Sequence, residues 1–227
     1  KSLREAVLYL SGFRQRTLYG AEYRLKETIT IEDLAFRANH IIKNEIEIVR
    51  NQMARNRIDL IFGEARFVDP HRLLIQQAGT STEHRAHVIV IAVGTEPARP
   101  ADILFDGHTI IDTDCLLTLK HLPTSMVIVG GGVIGTEYAS ILATLGVPVI
   151  LIDKRPRLLE FVDAQIIDAL QQQMTDTGVT LCHEEEVVAI RKESDGQVTV
   201  SLTHRPPITT TTLMYAIGRI GATKHLN

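Results

Sequence analysis

Apolar positions change their period several times along the chain, and each change predicts an element. Leu3, Val7 and Leu10 recur against Arg4 and Glu5, which predicts a short helix over 1–10. A polar loop with Gly12 and Gly20 follows, and Thr30-x-x-Asp33 then has the form of a capping box. Behind it Ile31, Leu34, Ala38, Ile41, Ile46, Val49 and Met53 recur every three or four residues. That spacing predicts one amphipathic helix of about six turns. From Ile58 the pattern becomes strand-like. Ile58–Phe62, Ala65–Val68 and Leu73–Ile75 read as strands punctuated by Gly63 and Asp69-Pro70. Val88–Val93 reads as a buried strand ending at Gly94, and Pro97, Pro100 and Pro123 mark breaks.

Met126–Val129 is apolar without interruption, as parallel strands covered on both faces tend to be. A helix through about Leu145 follows, Gly146 closes it, and Val149–Ile152 is the next strand, completing a βαβ unit. Asp163 is placed to cap a helix carrying Ile166, Ile167, Leu170 and Met174, which ends at Gly178. Val187–Lys192 and Val198–Leu202 flank Asp195-Gly196, a hairpin signal, and Thr209–Ile217 is a last β-rich run ending at Gly218-Arg219. The fold class is therefore α/β, with a Rossmann-like nucleotide-binding domain.

The junction after Met126–Val129 carries the chemistry. Gly130-x-Gly132-x-x-Gly135 follows a strand directly and opens a helix. The first glycine permits the tight turn, the second lets backbone approach a pyrophosphate, and the third allows close helix–strand packing. Val133 and Ile134 belong to the same turn, at a helix N-terminus that favours an anion. Asp153 ends the second strand, where a carboxylate can accept hydrogen bonds from an adenosine ribose; a solvated strand-end acid is the alternative. Lys154, Arg155 and Arg157 follow it. A cation there suits the 2′-phosphate of NADP while Asp153 suits the free hydroxyl of NAD, so a pocket accepting both competes with a plain exposed basic turn.

Composition narrows the rest. The 227 residues are 44% hydrophobic and 22% charged, which is ordinary for a globular chain and excludes a disordered one. With 24 basic against 27 acidic residues, net charge −3, a nucleic-acid footprint is not expected. No apolar run reaches the roughly 18 residues of a membrane span, and the expected location is the cytoplasm. Cys115 and Cys182, the two cysteines, have no metal or redox spacing and read as reduced thiols. His84-x-x-His87 has the spacing of a helical metal pair but reads as a solvated loop, so no metal site is expected. Cys182-His183 are neighbours on a strand and point to opposite faces, which makes Cys182 a buried structural thiol.

Four stretches together resemble the pyridine nucleotide–disulfide oxidoreductase superfamily of two-dinucleotide flavoproteins. Val127–Ser140 is similar to its nucleotide-binding motif, and His87–Pro97, with Ala92 and Gly94, to the segment that passes near FAD on leaving the flavin domain. Tyr215-Ala-Ile-Gly-Arg219 resembles the Gly218-Arg219 pair that closes the NAD domain, and the opening residues resemble the helix after the redox-disulfide region. Softer phrases, including Leu3–Gly12 and Arg155–Asp163, resemble the branch that relays hydride between NADPH and NAD through FAD. The resemblance implies a flavoprotein oxidoreductase. It implies NAD or NADP bound at Gly130, Gly132, Gly135, Asp153 and Arg155, Lys1 near the flavin, and Glu137 near the nicotinamide; Glu137 is otherwise a helix-surface acid.

The same resemblance divides the chain into 1–111, a partial flavin-domain segment, and 112–227, the NAD(P)-binding domain. A first flavin-binding glycine motif and a C-terminal dimerisation domain have no counterpart in the sequence. The chain is therefore expected to be the middle half of a family member that is a homo-oligomer when complete. In isolation it is expected to bind FAD weakly and to be catalytically inert. A dihydrolipoamide dehydrogenase-like or mercuric reductase-like parent, and a nucleotide-binding module without catalysis, are the alternatives.

Overall fold

Thr30 and Asp33 close the longest helix as the capping pattern predicts. The Asp33 N–H donates to Thr30 Oγ1 (3.3 Å) and the Thr30 N–H to Asp33 Oδ2 (2.8 Å), so two free helical donors are satisfied reciprocally. The computed structural model describes residues 2–20, 23, 25, 26 and 28–227. In chain order these form helix α1 (Ser2–Leu10), one-turn α2 (Arg16–Tyr19), α3 (Ile31–Arg55) and strands β1 (Glu64–Asp69), β2 (Arg72–Gln77), β3 (Thr80–Arg85) and β4 (Thr95–Pro97). Then come β5 (Ile110–Asp112), β6 (Met126–Val129), α4 (Val133–Thr144), β7 (Val149–Asp153), α5 (Ala164–Asp176) and β8 (Val179–His183). β9 (Val187–Lys192), β10 (Val198–Leu202), β11 (Ile208–Thr210), β12 (Thr212–Tyr215) and β13 (Arg219–Gly221) complete the chain.

The residues group into two compact units, Lys1–His40 with Pro97–Gly218, and Ile41–Glu96 with Arg219–Asn227. The first is built on a five-stranded parallel sheet of order β5-β12-β6-β7-β8. One face of this sheet packs on α4 and α5 through Met126, Ile128, Leu142, Leu151, Ile167 and Met214. The other face, through Val127, Ile152 and Leu213, meets Val198, Val200 and Leu202 of an antiparallel sheet ordered β11-β10-β9. Both faces are covered, which is why β6 has no polar position. The expected strand over Thr209–Ile217 is thus two strands. β11 joins the small sheet, Thr211 binds Ser125 through side chain and backbone, and β12 enters the centre of the large one. β5, which the pattern did not single out, is the fully buried edge beside β12.

The second unit carries the antiparallel meander β1-β2-β3. Two expected strands are corrected here. Ile58–Phe62 and, except for half-buried Ile89, Val88–Val93 are exposed, and both lie outside any strand, with Val88 80% and Val90 82% accessible. Their apolar runs have no neighbour to pair with among the described residues, and unpaired backbone gains nothing by becoming a strand. The stretch read as a loop around His84 is also different. His84 lies on β3, exposed, with its Nε2 3.1 Å from Thr82 Oγ1, and no cluster of metal-ligating side chains occurs among the described residues.

Candidate functional site

The site is set by the order of strands. From β6 the chain steps outward through β7 and β8, then returns to lay β12 on the opposite side of β6, between it and the earlier strand β5. Where neighbouring strands lead away in opposite directions, their C-terminal ends open a crevice, and open α/β sheets bind ligands there. A cavity of about 810 Å³ occupies this position. Its walls come from the turn after β6, the ends of β7 and β12, the Glu185–Val187 segment after β8, and Pro100–Ile103.

The glycine turn is shaped by what surrounds it. Gly130 has φ +109°, and a Cβ there would stand 2.6 Å from the Ala216 carbonyl oxygen. At Gly135 an added Cβ would lie 1.9 Å from the Gly130 carbonyl oxygen, so helix and turn touch only because it has no side chain. Gly132 is different. Its φ is −74°, it lines the cavity, and nothing lies within 4 Å of a Cβ placed on it. Neither strain nor packing within the protein calls for glycine at that position. No side chain caps α4 at Gly132, so the first N–H groups of the helix face outward with their partial positive charge. This is a cradle suited to a phosphate group.

Asp153 ends β7 with its side chain only 4% accessible. Its Oδ1 accepts from the Arg155 N–H and Nε, both at 2.8 Å, and its Oδ2 accepts from Arg155 Nη2 at 2.7 Å and from the Gly131 N–H. Burial is the largest influence on this carboxyl and pushes its pKa up. The Arg155 side chain and the N–H groups of Arg155 and Gly131 outweigh burial and hold it below the usual carboxylate range. Asp153 therefore has a task the motif did not reveal: it anchors the glycine turn to the second strand.

The expected residues Gly130, Gly132, Val133, Ile134, Asp153, Lys154, Arg155 and Gly218 all line the one cavity, while Gly135 is buried beneath the turn. Glu137 is exposed on α4 and borders a separate apolar groove with Arg4, Val7 and Leu170. Arg219, Ala92 and Gly94 belong to the second unit. There Arg219 donates to Thr95 through Nε (2.9 Å to Oγ1) and Nη2 (2.8 Å to the carbonyl), and Gly94 accepts from the Ala222 N–H. Ala92 and Gly94 are exposed and outside any strand. Lys1 lies outside the described residues.

Other wall residues escaped the sequence reading. Glu185 is buried, accepts from the His204 N–H (3.0 Å), and lies 3.6 Å from the Arg205 guanidinium. Tyr215 packs edge-on against Phe105, and burial, aided by the negative charge of Asp102, pushes its phenol up to about 12. The signal that could have found both is their place at or just past the C-terminal ends of parallel strands. Cys182 is a buried free thiol within the core, with Arg205 Nη1 at 3.5 Å from its Sγ, as expected of a structural cysteine; Cys115 is also unpaired by any disulfide.

A doubly covered parallel sheet with a glycine turn, a strand-end acid and a crevice at its switch point defines a Rossmann-type dinucleotide-binding protein. The chain belongs to the pyridine nucleotide–disulphide oxidoreductase family, whose pattern matches residues 9–227. The chain is 48% identical to the soluble pyridine nucleotide transhydrogenase of Mycobacterium bovis, covering all of this chain and 49% of that protein. It is 37% identical to the protein of the same name from Colwellia psychrerythraea, over 100% of the chain and 48% of the relative. The chain thus spans about half the length of the curated relatives it matches. LpdA of Mycobacterium tuberculosis has the same fold, with TM-score 0.85 and 23% identity over 100% of this chain and 50% of its own. A copper(II) complex of a mutant of RclA, the HOCl-induced flavoprotein disulfide reductase of Escherichia coli, is similar at TM-score 0.80 and 25% identity. That likeness covers 97% of this chain and 48% of RclA. No described helix is long and apolar enough to cross a membrane.

Proposed function

We propose that the chain is the pyridine-nucleotide-binding portion of a soluble transhydrogenase that passes hydride between NADPH and NAD with FAD as its flavin. In this reading residues 1–111 belong to the flavin domain and 112–227 form the NAD(P) domain, and the complete protein is a cytoplasmic homo-oligomer. The observation that carries nucleotide binding is Gly132: a glycine with ordinary φ and empty space before it, on the wall of the switch-point cavity. Close approach of a ligand's pyrophosphate is the reason for glycine there. The choice of transhydrogenation rests on the names of relatives at 48% and 37% identity.

When bound, a nicotinamide nucleotide supplies or accepts hydride; the residues of this chain hold and orient it. The N–H groups at the start of α4 receive the pyrophosphate. Asp153 and Arg155 receive the adenosine ribose, with or without its 2′-phosphate. The sequence holds one Gly-x-Gly-x-x-Gly turn, and it is the one given to the nicotinamide nucleotide, so the adenosine half of FAD has no second such helix N-terminus to rest on and the isolated chain binds FAD weakly and does not turn over.

Titration calorimetry with NAD and NADP tests this reading. Both bind with comparable affinities; a preference of about a thousandfold, some 4 kcal/mol, overturns dual use. Reduction of a thio-NAD acceptor by NADPH, assayed with and without added FAD, distinguishes binding portion from enzyme. The isolated chain gives no turnover, and turnover would overturn its proposed inertness.

A further inference from the structure

Beside the crevice at the switch point lies a second cavity, of about 450 Å³, between β9 and the segment 102–104. β9 is the edge of the small sheet and is hydrogen-bonded to β10 alone among the described residues. Leu104, Val188 and Ile190 supply apolar wall, and Asp102, Lys192 and Tyr215 supply the polar groups. Tyr215 lines both cavities. It is 5% accessible, its ring packs edge-on against Phe105 with centroids 5.8 Å apart, and its hydroxyl has no hydrogen-bond partner among the described residues. Buried phenols ordinarily find one. Burial first, and then the negative charge of Asp102, push this phenol up to about 12, so it stays a protonated donor throughout the physiological range. Asp102 is exposed and enters no hydrogen bond or ion pair among the described residues, whereas Lys192 is committed to Asp106.

We propose that this side cavity is a second small-molecule site, separate from the nucleotide crevice, and that it takes an uncharged amino-substituted heteroaromatic ring. The free polar groups on its wall are one donor, the Tyr215 hydroxyl, and one acceptor, the Asp102 carboxylate. A ligand carrying phosphate meets that carboxylate and no free cation among the described wall residues, so the cavity selects against a nucleotide. A flat ring with an acceptor nitrogen beside an amino group satisfies both: the nitrogen accepts from Tyr215 and the amino N–H donates to Asp102. Its apolar body covers Leu104, Val188 and Ile190, in the mixture of apolar wall and few polar groups that small-molecule sites have. Binding gives the buried hydroxyl the partner it lacks, which is a gain an ordinary surface hollow does not offer. The site asks nothing of the glycine turn. It shares Val187 and Tyr215 with the crevice, so its occupant stands beside a bound nucleotide and not in its place.

The test titrates 4-aminoquinazoline, whose amino group stands beside a ring nitrogen, and quinazoline, which lacks the amino group, into the whole chain. The readout is NMR of labelled isoleucine, leucine and valine methyl groups. The amino compound is expected to shift Leu104, Val188 and Ile190 with a dissociation constant on the order of 0.1–1 mM, and quinazoline to bind about fivefold more weakly. Tyr215→Phe is expected to weaken the amino compound about fivefold while melting no lower than the parent, since it deletes an unpartnered buried hydroxyl. Ala189→Trp, an exposed change on the cavity wall, is expected to abolish binding by filling the space. Saturating NAD is expected to leave the probe's affinity within about threefold. Shifts spread evenly over exposed apolar residues such as Val88 and Val90, or a Tyr215→Phe variant that binds as the parent does, overturn the site. Loss of the probe on adding NAD overturns its separateness from the crevice. A chain that binds the probe at Leu104, Val188 and Ile190 but binds no NAD supports the side cavity and sinks the nucleotide reading alone.

Discussion

Met126–Val129 and Val88–Val93 are the same kind of sequence. Each is an apolar run dominated by valine and isoleucine, Met-Val-Ile-Val and Val-Ile-Val-Ile-Ala-Val, with no polar interruption, and each ends at a glycine, Gly130 or Gly94. Their fates differ. The first is β6, hydrogen-bonded to parallel strands on both sides, with Val127 and Ile128 at 0% accessibility. The second is irregular and open to solvent. Local propensity is the same for both, so what separates them is partners. β6 has β7 and β12 to take its backbone groups and helices and a second sheet to take its side chains. Strand formation is a property of a neighbourhood, because the backbone bonds that define it belong to two segments at once.

The contrast is broken most directly by hydrogen exchange. Amides of Met126–Val129 are expected to exchange more slowly than those of Val88–Val93 by a factor on the order of a thousand or more, read by mass spectrometry of the corresponding peptides. Equal protection would mean that Val88–Val93 does find a partner in solution. Truncation sharpens the same comparison in energy. Ile128→Ala, in the closed core, is expected to cost about 3 kcal/mol, while Val90→Ala costs less than about 0.5 kcal/mol, both by denaturant titration.

The two glycines of the turn after β6 separate packing from ligand approach. Gly132→Ala adds a methyl group where the protein leaves room and φ is ordinary, so stability is expected within about 0.5 kcal/mol of the parent. Nucleotide affinity is expected to fall about tenfold or more, since the methyl fills the cradle. Unchanged affinity would remove the main support for nucleotide binding there.

The smallest expected effect concerns acid. Asp106 lies before β5; burial opposes its ionisation most strongly. Lys192 and the N–H groups of His108, Ile110 and Thr109 overcome that and hold its pKa well below the ordinary 3.8. A folded pKa below the unfolded one contributes stability that is complete above the unfolded value and is lost as pH falls through the folded value. The melting temperature is therefore expected to decline as pH drops below about 4, and Asp106→Asn to show a shallower decline from a lower starting point. Parallel pH curves for the two proteins would show that Asp106 carries none of this dependence.

Much of the molecule was legible in the sequence because its signals are local. A capping pair, a 3.6-residue stripe, an uninterrupted apolar strand and three glycines at fixed spacing each act within a few residues. Hence α1, α3, the β6-α4-β7 unit and the Asp163-capped α5 fall where the pattern puts them. The cavity residues Gly130, Gly132, Asp153 and Arg155 were legible for the same reason. Glu185, Tyr215 and Asp102 were not, since they reach the crevice from distant parts of the chain and carry no spacing relative to the glycines.

The two apolar runs mark the boundary between what sequence determines and what structure decides. By itself the sequence determined that Met126–Val129 and Val88–Val93 could each be strands, that a glycine turn with an acid beyond it follows the first, and that the chain is α/β. Tertiary structure alone decided which run is paired. It also decided that the chain doubles back across β6 to open a crevice, and that the strand-end acid Asp153 is held by Arg155 and the Gly131 N–H. The reason is the same in each case. A hydrogen bond has two ends, and the sequence around one end does not say whether the other will be in reach.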